Sequence, residues 1–183
     1  MSALSYNECE IERHKLAAAR QSFEDLHAMI SGRSGEYHTI TDPVGFEFSD
    51  LIGDSLRSAA TENKSAWSSA MMACTHAFGV LNMVSDAVKT YEDKIADIKA
   101  RLDEKLTALD DPDDITAVNN TVEPFNEEAR QAWTKLENEC DTAQDTLREG
   151  PTAGNIRMLA EAGHLGDTGL IGFYTTENLD YFA

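Results

Sequence analysis

Apolar residues seven apart constrain this chain more than any other feature. Trp67, Cys74, Leu81, Val88, Ile95, Leu102 and Leu109 form one row, and Ala70, Ala77, Val84, Tyr91 and Ile98 form a second that breaks at Lys105. Positions alternately three and four apart fall on one stripe of an α-helix, and a sustained seven-residue repeat buries that stripe against other helices. At 1.5 Å per residue such a helix runs roughly 60 Å. The expected architecture is all-α: an elongated antiparallel helical bundle with one long heptad-bearing helix. A rod of this kind offers surface to protein partners and little concavity to a substrate.

The flanking segments read as further helices. Ser5 and Glu8 have the spacing of a capping box, which satisfies free N–H groups at a helix start. Cys9, Leu16, Phe23 and Ile30 repeat by seven, with Ala19 and Leu26 beside them, so a first helix is predicted from about Asn7 to Ser31. The cluster Gly32-Arg33-Ser34-Gly35 should end it, followed by a loop to about Gly45. Whether 46–109 forms one helix or two is open, and Ser65 offers a cap for a restarted helix. Asp110 to Asp114, around Pro112, should close the long helix. A third helix is expected from about Val122 to Glu149, with Phe125, Ala129, Ala132, Trp133, Leu136, Cys140, Ala143 and Leu147 on its core stripe. After Gly150-Pro151 a short helix is expected between Thr152 and His164, then a Gly-rich aromatic tail containing Phe173, Tyr174, Tyr181 and Phe182. The expected division is a bundle over 1–149 and an appendage over 150–183.

The formal charge of −18 disfavours nucleic acid and anionic lipid as partners, because phosphate recognition needs a basic stripe. The densest basic group, Lys89 to Lys105, is interleaved with Glu92, Asp93, Asp97, Asp103 and Glu104, so its field largely cancels. Cys9, Cys74 and Cys140 have neither metal-site nor redox-pair spacing, and they read as reduced core residues of a reducing compartment. Neither a signal peptide nor a membrane span is expected: the most apolar stretch, Ala70 to Val84, is too short to cross a bilayer.

Catalytic patterns are weak. Glu24-x-x-His27 and Glu161-x-x-His164 match the spacing of dinuclear carboxylate sites, but the long seam supplies no further glutamates. Gly163, Gly166, Gly169 and Gly172 lack the strand and the Lys-Ser or Lys-Thr of a phosphate loop. Cys74 and His76, two apart, point to different sides of a helix, and no nucleophile elbow occurs. The sequence therefore leads to no catalytic residue, no metal site and no cofactor, with a di-metal carboxylate enzyme as a remote alternative.

Residues 51–91, LIGDSLRSAATENKSAWSSAMMACTHAFGVLNMVSDAVKTY, resemble helical N-terminal regions of actinobacterial proteins linked to type VII secretion, including polymorphic-toxin leaders of the WXG-like group. The later GPTAGNIRMLAEAGHLG resembles a short segment found after such leaders. Trp67-Ser68-Ser69 stands where that group carries Trp-x-Gly, and the Tyr-to-acid export spacing of four occurs only at Tyr6 and Glu10. The resemblance implies an export or assembly module, cytoplasmic or exported without a cleavable signal. A cytoplasmic coiled-coil adaptor or structural protein is the alternative.

The near all-round apolar segment from Ala70 to Val84 suggests where a partner would bind. Trp67, Met71, Cys74, Phe78, Leu81, Val84, Val88 and Tyr91 are the expected interface, facing another helical protein or a second copy of this chain.

Overall fold

The computed structural model describes residues 4–47, 51–111 and 113–166, without the side chains of 44–47, 51 and 52. Four helices occur among the described residues, and no strand: α1 (Arg13–Glu47), α2 (Leu51–Thr107), α3 (Ile115–Glu149) and α4 (Ala153–Glu161). The aromatic tail expected beyond Gly166 lies outside the described residues. The all-helical class follows the apolar periodicity. Several boundaries do not follow the local signals.

The first helix starts later and ends much later than its sequence suggests. Residues 4–12 are not helical, and Ser5 is no cap: its N–H donates to Asn126 Oδ1 at 2.8 Å. The helix then passes straight through Gly32 and Gly35 and includes Pro43. Two glycines each cost a helix about 1 kcal/mol against alanine, and an interior proline removes a backbone bond. Tertiary contacts offset this. Tyr37 lies edge-on to Trp67 at 5.0 Å between ring centroids, and its hydroxyl accepts from Asn63 Nδ2 at 3.1 Å. Two threonines beyond the glycines return their hydroxyls to the preceding turn, Thr39 to Gly35 O and Thr41 to Tyr37 O.

Over 46–109, α2 runs unbroken from Leu51 to Thr107, and residues 48–50 lie outside the described residues. Ser65 does not restart a helix; its carbonyl accepts the Ser69 hydroxyl at 3.0 Å inside the continuing turn. Thr61 and Thr75 bond back to Arg57 O and Met71 O in the same way. The polar patch thus remains helical because its hydroxyls find acceptors four residues earlier. The third helix begins seven residues before the expected Val122. Asp114 is the reason: its Oδ1 accepts from the N–H groups of Thr116 (2.8 Å) and Ala117 (3.2 Å), an N-cap. The acidic run therefore serves the start of α3 as well as the end of α2.

By contacts the described chain divides into two compact units, 4–14 with 83–145 and 15–82 with 146–166. In the first unit α2 and α3 run antiparallel, since Glu128 meets Arg101 while Trp133, further along α3, meets Tyr91, earlier on α2. Its core holds Val88 and Ile98, both fully buried, with Tyr91, Ile95, Ala129 and Leu136. Leu4, Tyr6 and Cys9 from the N-terminal segment pack on the same cluster.

In the second unit α1 and α2 are antiparallel, for Tyr37 meets Trp67 while Arg20 meets Asn82. Helix α4, capped by Thr152 through the Asn155 N–H, buries Ile156 and Leu159 completely. Gly79 sets how closely α4 and its following turn approach α2. A Cβ there would fall 2.7 Å from Leu165 Cδ2, 2.8 Å from Leu159 Cδ1 and 3.3 Å from Leu159 Cβ.

Two outcomes follow from this packing. Val88→Asp should cost about 3 kcal/mol or more, because an unpaired charge replaces a fully buried apolar group. Leu147→Asp, at a side chain 53% exposed, should change stability by less than about 0.5 kcal/mol. Denaturant unfolding of both variants checks the contrast. Gly79→Leu should dislodge α4, read as accelerated hydrogen exchange at Ile156 and Leu159 with α3 protection unchanged.

Candidate partner-binding surface

The α2 residues expected at an interface fall in two groups. Trp67, Met71, Cys74, Phe78 and Leu81 belong to the second unit, and Val84, Val88 and Tyr91 to the first. Most have neighbours from their own chain. Met71, Cys74 and Phe78 are each 4% exposed, Val88 is 0% and Tyr91 is 5%. Arg20 of α1 stands 5.8 Å over the Phe78 ring and donates to Asn82 Oδ1. Asn82 Nδ2 donates in turn to the His164 carbonyl at 2.6 Å. The stretch that reads as apolar all round is thus covered within the second unit by α1 and by α4 with its turn. Tyr91 packs edge-on to Trp133 at 5.5 Å and donates its hydroxyl to Asn7 O. Trp67, Leu81 and Val84 are half-buried and keep some open surface.

Open apolar surface is concentrated elsewhere. On α1, Leu26, Met29 and Ile40 are 39%, 59% and 69% exposed. At about 100° per residue they lie, with Arg33, within an arc of roughly 60°. Their spacing is i, i+3 and i+14, with Arg33 at i+7, as in a seam. Arg33 is paired with Glu36 at 3.0 Å in an exposed ion pair. The inward side of α1 carries a different set, including Phe23, His27, Ile30 and Tyr37. Among the described residues, Leu26, Met29 and Ile40 thus form an exposed apolar strip beside the more buried set. Leu26, expected beside the buried stripe, is instead exposed, and the frame it shares with Met29 and Ile40 was not legible. The Gly-rich interruption masked it.

The polar groups do not converge on a reaction centre. Among the described residues no group of three or more His, Cys, Asp or Glu is placed to hold a metal ion. Of the two Glu-x-x-His matches, His27 is buried beside a half-buried Glu24, while Glu161 is exposed and His164 half-buried. The groove between α2 and α3 is lined by Asp93, Lys94, Asp97, Glu128, Lys135 and Glu139, and Lys94 pairs with both Asp97 and Glu128. Hydrogen bonds from Lys94, then Arg101, hold the Glu128 carboxyl below the usual carboxylate range.

Three imidazoles of the second unit, His27, His38 and His76, each bury an Nε2 without a hydrogen-bond partner. Burial pushes His27 and His76 below the ordinary histidine value of 6.5, and a hydrogen bond to the Thr146 backbone opposes this at His76. No helix among the described residues is long and apolar enough to cross a membrane. Comparison with protein-family models, curated proteins and solved structures yields no match.

Neutral His27 and His76 give the stability a defined pH dependence. With folded values depressed, the unfolded chain binds protons first as pH falls below about 6.5, so stability is full above that pH and declines below it. Thermal midpoints measured between pH 7.5 and 5 should fall on the acid side. His27→Leu should flatten the decline; an unchanged slope in that variant would place the protons elsewhere.

Proposed function

We propose that this chain is a non-enzymatic helical module that binds another protein, and that the partner lies along the exposed face of α1. The exposure of Leu26, Met29 and Ile40 on one side of a helix carries the reading. Apolar anchors at seam spacing are what an amphipathic partner helix needs for a helix-to-helix contact. Trp67, Leu81 and Val84 contribute only their open edges, whereas Met71, Cys74, Phe78, Val88 and Tyr91 are occupied by the chain's own side chains. A second copy of this chain would bring −18 against −18, so charge favours a different protein whose apolar stripe is flanked by lysine and arginine. The resemblance of residues 51–91 to type VII secretion leaders supports taking that partner from the helical proteins of such a system. The chain then acts as an assembly or export module, cytoplasmic before export. A coiled-coil adaptor with no export role uses the same face.

Met29→Glu combined with Ile40→Glu tests this reading. Both side chains are exposed, so helicity and unfolding midpoint should stay unchanged. Affinity for a helical protein co-expressed from a neighbouring gene should fall at least tenfold. Retention of that partner at equal affinity by the double variant overturns the α1 assignment. Light scattering that shows a stable dimer of the isolated chain replaces the foreign partner with a second copy.

A further inference from the structure

The N-terminal segment of the first unit is pinned to the helices through side chains. The Ser5 N–H donates to Asn126 Oδ1 at 2.8 Å. Lys99 Nζ donates to the Tyr6 hydroxyl at 2.7 Å and stands 4.1 Å from that ring's centroid. Asn7 O accepts from Tyr91, and Arg13 pairs with Glu92 at 3.3 Å. Cys9 lies between these anchors. It is half-buried, carries a free thiol and packs on the apolar cluster that contains Tyr91 and Leu136. Cys140 of α3 is also half-buried and free, and it packs on that same cluster.

We propose that Cys9 and Cys140 form a redox-sensitive pair, which a peroxide converts into an intramolecular disulfide that locks the N-terminal segment to α3. The proximity has a second sign. Burial first, then the charge of an ionised Cys9, then Asp141 and Glu139, push the Cys140 thiol up. Cys9, on the non-helical segment, is the attacking sulfur of this proposal, and Cys140, on α3, is the resolving one. Residues 4–12 have no helical hydrogen-bond ladder, so this backbone can adjust to the tight Cα separation a disulfide requires while α3 stays in place. Cys74 is a built-in comparison: it is 4% exposed, lies in the second unit, and burial raises its thiol.

The chemistry balances with hydrogen peroxide as oxidant. The Cys9 thiolate attacks one peroxide oxygen; an S–O bond forms, the O–O bond breaks, and the departing hydroxide takes up a proton as water. The Cys140 sulfur then attacks the Cys9 sulfenic acid. The S–S bond forms, the S–O bond breaks, and hydroxide leaves with the Cys140 proton as the second water. Two thiols lose two electrons and one peroxide becomes two waters.

The test uses the full chain treated with stoichiometric hydrogen peroxide, alkylated before and after denaturation, digested with trypsin and weighed. The expected product is lighter by about 2 Da, two hydrogens. Peptide 1–13 should be joined to peptide 136–148, with Cys74 alkylated only after denaturation. Its formation should quicken as pH rises, because the thiolate reacts. Cys140→Ser should leave a Cys9 sulfenic acid that dimedone traps, and Cys9→Ser should abolish the link. Separate alkylation of Cys9 and Cys140 after oxidation, or a link from either one to Cys74 or to a second chain, overturns the pair.

Discussion

Burial of the apolar side of α2 is the constraint on which the rest depends. Helix α2 gives a long stretch to each unit, 51–82 and 83–107, while α1 and α3 cross the division only at their ends, and each unit covers one stretch of it. In the first unit α3 and the N-terminal segment cover Val88, Tyr91, Ile95 and Ile98. In the second, Arg20 of α1 stands over Phe78, and Leu159 and Leu165 of the α4 region close on Gly79. A long helix with an uncovered stripe would be a liability in water, since roughly 25 cal/mol of driving force attends each Å² of apolar surface removed from it. The outer elements are arranged to meet that demand.

The two coverings differ in chemistry. The first unit combines an apolar core with anchored polar contacts: Arg101 and Lys94 on Glu128, Tyr91 on Asn7, Lys99 on Tyr6. The second relies on close approach at Gly79 and on imidazoles held neutral by burial. Buried neutral histidines pack like apolar rings at neutral pH but cost free energy once protonated. This makes the second unit the acid-sensitive one, and α1, which carries the proposed docking face, belongs to it.

Local rules misjudged the two helix starts and the one helix end for separate reasons. Gly32-Arg33-Ser34-Gly35 is a valid breaker signal, overridden because Tyr37 and His38 gain Trp67 as a neighbour. The Ser5 capping box is a valid start signal, overridden because Ser5 and Tyr6 find side-chain partners across the unit. Asp114 was legible as a cap, but the acidic run around it was read only as the end of α2. In the first two cases a three- or four-residue pattern competes with contacts whose partners lie tens of residues away, whereas the Asp114 cap is itself local.

The sequence by itself determined the helical class, the stripe of α2, the core positions of α3 as far as Ala143 and the buried face of α4; Leu147, expected on the α3 stripe, lies exposed near the helix end. What the sequence determined depends on periodicity, and periodicity is a property of neighbours along the chain. Only the tertiary structure decided what stands over Phe78, why position 79 is glycine, which α1 residues are exposed among the described ones and that Cys9 and Cys140 share a core cluster. Those facts depend on which distant segments meet. Residue type and spacing show that a surface must be buried, but they do not show by what.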